Sequence, residues 1–266
     1  GAEVHSKTSG LIAAIIGGFS YYIIYNSRWL SNPNPMFLLS VLFLYSLWKI
    51  VNDNKKKWWP IAVLLLGISL HFESASAVFY IPLFLTFTIW RLFSLVAIKL
   101  IITRIWWTEF FEENIKTILI SILLFIGTLL PQLLFNIRHE NILFNNFIKL
   151  FTHDKAFGKP LTMFILETRI DYFWNVFMNK IFIGWNKEAI IFSSLALASL
   201  IVGRKKLKKV MPLLSIFLIT PMIGFVLFQG NFGNIYDYYM IGYFLPFILL
   251  YAIGLAEFSM TFIGKI

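Results

Sequence analysis

The chain has 266 residues, of which 59% are hydrophobic, 18% aromatic and 14% charged, and it contains no cysteine. So apolar a composition excludes an ordinary water-soluble domain and points to a polytopic membrane protein, while the lack of cysteine excludes disulfides, thiolate chemistry and a Cys-ligated metal. The net charge of +10 fits Lys/Arg-rich cytoplasmic loops and contact with anionic lipid, and it is no argument for nucleic acid.

A bilayer needs roughly 20 apolar residues per crossing. On that measure residues 1–266 form a single all-α membrane domain with about eight spans, near 10–26, 36–51, 58–70, 75–90, 116–137, 188–202, 210–228 and 238–260. Residues 1–9 read as a cytoplasmic loop with no signal-peptide pattern, and the true N-terminus is expected upstream of Gly1. The first two spans are joined by Ser27-Arg28-Trp29-Leu30-Ser31-Asn32-Pro33-Asn34-Pro35. Two X-Pro steps forbid a continuous helix there and keep both asparagines out of the α region. The result is a rigid polar turn at a membrane face, carrying one guanidinium and two amides. Such a turn suits a phosphate or a sugar; its plainer use is an interfacial hairpin with a snorkelling arginine.

Asn52-Asp53-Asn54-Lys55-Lys56-Lys57 follows the second span, and the positive-inside rule places it in the cytoplasm. The turn around Arg28 is then outside. His71-Phe72-Glu73-Ser74 breaks the next apolar stretch, and the break is expected to line a cavity below the outer surface. Arg91, Lys99 and Arg104 alternate with apolar residues over 91–114, which reads as a basic amphipathic helix on the inner leaflet. The span at 116–137 ends outside at Asn136-Ile137-Arg138-His139-Glu140. Residues 141–185 mix aromatics with charges and read as one or two interfacial helices and a loop over the outer face. Arg204-Lys205-Lys206-Leu207-Lys208-Lys209 is the strongest cytoplasmic signal. Tyr236 and Asp237 belong to an outer turn, and the last span returns inward toward Lys265, so both termini of the chain are expected in the cytoplasm. No internal repeat is visible.

Four short polar clusters therefore fall at outer span ends: Arg28/Asn32/Asn34, His71/Glu73, Arg138/His139/Glu140, and Tyr236/Asp237/Tyr238/Tyr239. They could converge on one cavity between helices. Each also has an ordinary reading, as caps of a broken backbone, interfacial anchors or an aromatic belt. Phosphate loops, dinucleotide fingerprints and the zinc motif His-Glu-x-x-His are absent. The four histidines are too dispersed to argue for a metal site.

Taken in order, these stretches resemble the GT-C glycosyltransferases, in particular the bacterial protein-mannosyltransferase-like and aminoarabinose-transferase-like enzymes. The resemblance rests on Gly10-Leu11-Ile12-Ala13-Ala14 through the Arg28 turn, on Gly67-Ile68-Ser69-Leu70-His71-Phe72-Glu73, on Leu130-Pro131-Gln132-Leu133-Leu134-Phe135-Asn136-Ile137-Arg138-His139, and on Tyr236-Asp237-Tyr238-Tyr239 before a span containing Pro246. It implies transfer of a sugar from a polyprenyl-phosphate carrier to an extracytoplasmic glycan, lipid or protein, at the outer face of a bacterial-type plasma membrane. It implies an acidic catalytic base in a loop upstream of Gly1, so that no catalytic base is assigned within the chain. It further implies carrier or sugar contacts from Arg28, Asn32, Asn34, His71, Glu73, Arg138, His139, Asp237, Tyr238 and Tyr239. Family members often carry an acidic residue where Asn136 stands, and some carry one near Asn34, which leaves a divalent metal open and assigns none. A secondary transporter or lipid flippase also breaks its spans at polar residues, but its repeats and midplane site are missing here. A non-catalytic paralogue is the third reading.

Overall fold

The structure is a computed structural model. It describes the chain except residues 29–30, 100–103, 154–155, 159, 204–206, 230–233 and 264–266, together with the side chains of 95–99, 104–113 and 262–263. Trp29, Asp154, Lys155, Lys159, the Arg204-Lys205-Lys206 run and Lys265, and the side chains of Lys99 and Arg104, thus lie outside the described residues. Among the described residues the protein is all-α, without strands. Six helices are long and apolar enough to cross a membrane, or seven with one bent pair counted as a single span. This is the all-α polytopic architecture read from the sequence.

The bent pair is α1 (Lys7–Phe19) and α2 (Tyr21–Ser27), which meet at 57°. The cause is local. Ser20 is extended, and its hydroxyl accepts a hydrogen bond from the Ile23 N–H, starting a second helix where an apolar run alone would continue the first. A capping box of Ser6 and Ser9 starts α1. The turn containing Pro33 and Pro35 precedes α3 (Met36–Asp53). Next come α4 (Trp58–Phe72), α5 (Ser74–Ala77), α6 (Tyr80–Lys99), α7 (Arg104–Arg138), α8 (Ile142–Thr152) and α9 (Met163–Ile181). Then follow α10 (Asn186–Gly203), α11 (Val210–Leu227), a 3-10 turn (Asp237–Met240), α12 (Ile241–Phe258) and a π-helical turn (Ser259–Ile263). Residues 91–99 continue α6, and Arg104 opens α7. At 15 residues, α4 is about 22 Å long, short of the roughly 30 Å hydrocarbon core.

The chain divides into two compact units. The first comprises Gly1–Val41, Thr162–Ile219 and Tyr236–Ile266. Its centre is α12, packed against α1 and α10. Glu257 of α12 is buried, and His5 Nε2 lies 2.8 Å from its Oε1. Room for this carboxylate comes from Gly203 of α10, where an added Cβ would sit 2.6 Å from Glu257 Oε2.

The second unit comprises Leu42–Leu161 and Thr220–Ile235. Its core is aromatic: Phe43 lies 4.8 Å from Tyr80, and Phe79 meets Phe225 edge-on at 4.5 Å. Here α4 packs on α7. Gly67 faces Thr128 so closely that any Cβ would collide with the threonine side chain. One turn later, His71 Nε2 donates to the Thr128 carbonyl. Pro131 lies three residues further along α7 and lacks an N–H, so the helical ladder is already interrupted at this level.

Candidate functional site

The first unit contains an open cleft of about 710 Å³. Tyr21, Tyr22, Tyr25 and Asn26 of α2 form one wall, and Ser31 and Pro33 of the proline turn extend it. Asn175, Asn179, Lys180 and Ile183 face it from α9 and its end, and Asp237 and Tyr238 enter from the 3-10 turn. Asn175 and Asn179 are one helical turn apart, so both amides lie on the same side of α9. Asn179 Nδ2 donates to Asn175 Oδ1, and among the described residues the buried Asn179 Oδ1 has no hydrogen-bond partner.

Lys180 organises the charge. Its Nζ is 2.6 Å from Asp237 Oδ2 and 4.9 Å from the centre of the Tyr22 ring. The Tyr172 hydroxyl donates to the Tyr236 carbonyl at 2.9 Å and so fixes the start of the 3-10 turn. Burial, and then the Asp237 carboxylate, push this hydroxyl well above the usual tyrosine range, which keeps it a donor. Tyr236 and Tyr238 stack at 5.6 Å, and Tyr239 meets Tyr238 edge-on at 4.8 Å.

A second cavity of about 530 Å³ adjoins the cleft. It is lined mainly by aliphatic and aromatic side chains: Ile15, Ile16 and Phe19 of α1, Phe182, Trp185 and Phe192, and Tyr251 and Leu255 of α12, with Ser20 at the bend. Tyr21, Lys180 and Ile183 line both cavities. Lys180 therefore stands in the wall common to the two cavities.

Of the residues singled out in the sequence, Asp237 and Tyr238 line this cleft, with Tyr239 packed behind them. Arg28 ends α2 and is exposed, its N–H bonded to the Tyr25 carbonyl at 3.3 Å. Asn32 is exposed in the same turn, and Asn34 accepts from Ser31 Oγ at 3.3 Å. The remaining residues belong to the second unit. His71 holds the Thr128 carbonyl. Glu73 caps α5, accepting from the Ala75 N–H at 3.2 Å; burial raises its carboxyl above the usual range, opposed by that hydrogen bond. Arg138 is exposed in the last turn of α7, where a cation complements the helix dipole. His139 stacks on Phe135 at 3.9 Å and bonds its carbonyl through Nδ1. Asn136 Oδ1 accepts from the Leu143 and Phe144 N–H groups at 3.0 and 3.1 Å.

The sequence reading passed over Lys180, Asn175, Asn179 and Tyr22. A usable signal existed in Asn175 and Asn179, two amides at helical spacing followed by a lysine, in a stretch where Phe173, Trp174 and Phe177 are aromatic. Among the described residues no three His, Asp or Glu side chains converge as a metal site.

Residues 2–108 match the family model described as dolichyl-phosphate-mannose-protein mannosyltransferase. No curated protein and no solved structure matches the chain. The matched segment carries the Arg28 turn and the His71/Glu73 break, two of the four stretches on which the sequence resemblance rests. Over these residues the chain is similar to a GT-C-type, mannosyltransferase-like family of membrane glycosyltransferases.

Proposed function

We propose that the protein moves a sugar from a polyprenyl-phosphate donor to an extracytoplasmic acceptor by inverting displacement at the anomeric carbon. The observation that carries this reading is the position of Lys180 in the wall common to two adjoining cavities, a groove lined mainly by aliphatic and aromatic side chains and a cleft that also presents Asn175, Asn179, Ser31 and Asp237. The donor has the same order of parts: an apolar chain, an anionic phosphate and a polyol. The groove takes the first isoprenoid units, Lys180 the phosphate, and the cleft the sugar. Asn175, Asn179 and Ser31 offer amides and a hydroxyl to the sugar, and the tyrosines of α2 and Tyr238 offer ring faces.

In such a displacement the acceptor oxygen attacks the anomeric carbon as the bond to the phosphate oxygen breaks. The acceptor's proton passes to a carboxylate base, and the carrier leaves as polyprenyl phosphate. Negative charge grows on the leaving oxygen, so fixed cations matter more than a general acid. Lys180 supplies one, and Arg28, at the end of the helix that walls the cleft, supplies a second. Asp237 holds Lys180 in place before the donor arrives and yields it to the phosphate.

The test is turnover by the purified protein in nanodiscs with short-chain polyprenyl-phosphate sugars and a cell-envelope fraction as acceptor, read as release of polyprenyl phosphate. Release with at least one sugar, lost in Lys180→Met, is expected. Binding without release for every sugar would overturn the reading.

A further inference from the structure

Helix α8 has no buried residue, although its sequence is Ile-Leu-Phe-Asn-Asn-Phe-Ile-Lys-Leu-Phe-Thr. At about 100° per residue, Leu143, Phe144, Phe147, Ile148, Leu150 and Phe151 fall on one side of the helix. Asn145, Asn146, Lys149 and Thr152 fall on the other. Phe144, Phe147 and Phe151 are each more than half exposed, at 59, 53 and 51%. A continuous apolar face of this kind is normally covered.

Both ends of α8 are fastened to the ends of helices that can cross a membrane. At the N-terminal end, α7 stops at Arg138, and Glu140 and Asn141 turn the chain in left-handed conformations, with φ of 53° and 60°. Asn136 of α7 locks the corner. Its Oδ1 holds the Leu143 and Phe144 N–H groups, and its Nδ2 donates to Asn141 Oδ1 at 3.0 Å. At the C-terminal end, the Ala156 N–H donates to the Leu150 carbonyl at 2.8 Å, and the Ala156 carbonyl accepts from the Gln229 N–H at 2.6 Å. Phe157 sits between Phe151 and Phe228, 5.4 Å from each. Residues 228 and 229 directly follow the end of α11. These ties lie within the second unit. They hold the 11 residues of α8, about 16 Å long, between the ends of α7 and α11.

We propose that α8 is an in-plane membrane strap whose partner is the lipid bilayer itself. A segment tied at both ends to span ends stays at the level of those ends, which is the membrane surface. Phe144, Phe147 and Phe151 then enter the boundary between headgroups and acyl chains to a depth of about 5–10 Å. Lys149 and the asparagines remain among the headgroups, where Lys149 meets lipid phosphate.

The chain has no cysteine, so single labels report cleanly. Phe147→Cys and Asn145→Cys, placed on opposite sides of α8, are labelled with an environment-sensitive fluorophore in the full chain, reconstituted in phosphatidylcholine–phosphatidylglycerol nanodiscs. The expected result is blue-shifted emission at position 147, quenched several-fold more by lipids spin-labelled near the carbonyls than by aqueous iodide, with the reverse order at position 145. Iodide quenching at 147 equal to that at 145 would overturn the proposal, because the face would be in water. Blue-shifted emission at 147 that no lipid quencher reaches would also overturn it, because the face would be covered by protein. Phe151→Cys repeats the reading should Phe147→Cys fail to fold.

Discussion

Lys180 Nζ and Asp237 Oδ2 lie 2.6 Å apart, with their side chains 30 and 52% exposed. A pair this open to solvent adds at most about 1 kcal/mol to stability. If its purpose is to present Lys180 to a phosphate, Lys180→Met should alter thermal stability little and lower transfer about a hundredfold or more. Asp237→Asn should keep the fold and bring donor binding and kcat out of proportion, since Lys180 would lose its holding partner but not its charge. Melting curves and steady-state transfer with a polyprenyl-phosphate sugar check both. Unchanged kcat/KM in Lys180→Met would remove the lysine from the site.

Arg28 gives a sharper comparison. A guanidinium makes two parallel bonds to phosphate oxygens, whereas Lys is a point charge. Arg28→Lys should therefore cost about 2–4 kcal/mol of transition-state stabilisation, mainly in kcat. A turn anchored only by a snorkelling cation would accept the lysine with near-equal rates.

The contact of Gly67 with Thr128 predicts an unforgiving position. Gly67→Ala drives a methyl group into the threonine side chain and should cost about 1–3 kcal/mol of stability. Adding Thr128→Ala should restore part of it. Denaturation of the single and double variants in mild detergent gives the coupling, and additive effects would mean that α4 and α7 do not press together here.

Glu73 carries a pH dependence of definite sign. Burial raises its carboxyl in the folded state, so folding favours the protonated form. The stabilisation is complete below the unfolded value of about 4.3 and is lost as pH rises through the higher folded value. Glu73→Gln should thus melt higher than wild type at neutral pH, and the two should converge in acid. Thermal melts across that range decide it, and a variant less stable at neutral pH would reverse the assignment.

The Asn136 corner makes a prediction about interchange. Asp at this position retains an oxygen for the Leu143 and Phe144 N–H groups and adds negative charge at the start of α8, which offsets the loss of the Nδ2 bond to Asn141 Oδ1. Asn136→Asp should be near neutral, while Asn136→Leu should cost about 1–2 kcal/mol and loosen α8. Hydrogen exchange at the amides of residues 143 and 144 reads this directly.

Much of the fold was legible because hydrophobic length is a strong signal. The runs at 36–51, 116–137, 188–202, 210–228 and 238–260 each coincide with a helix long enough to cross a membrane. The bend at Ser20 was not legible. A single hydroxyl overrides an apolar run there, and hydropathy averages over one residue. The site divided in the same way. Asp237 and Tyr238 stood out as polar or belt residues at a span end. Lys180 was lost among the charges of 141–185, because its meaning lies in sharing a wall with two cavities, which no spacing along the chain encodes. His71 stood out as a polar residue in an apolar stretch, and its bond to the Thr128 carbonyl gives it a packing role that sequence cannot distinguish from a functional one.

The pairing of His5 with Glu257 spans 252 residues, and it bears on how the chain is made. Helices enter the membrane in order of synthesis. The carboxylate of Glu257 arrives with α12, long after His5, and is costly in hydrocarbon without its imidazole. The imidazole of His5 and the α1 face around it therefore remain without this partner until that helix emerges. A ribosome stalled before residue 257 should leave His5 reactive toward an aqueous imidazole reagent, and a released chain that includes α12 should protect it.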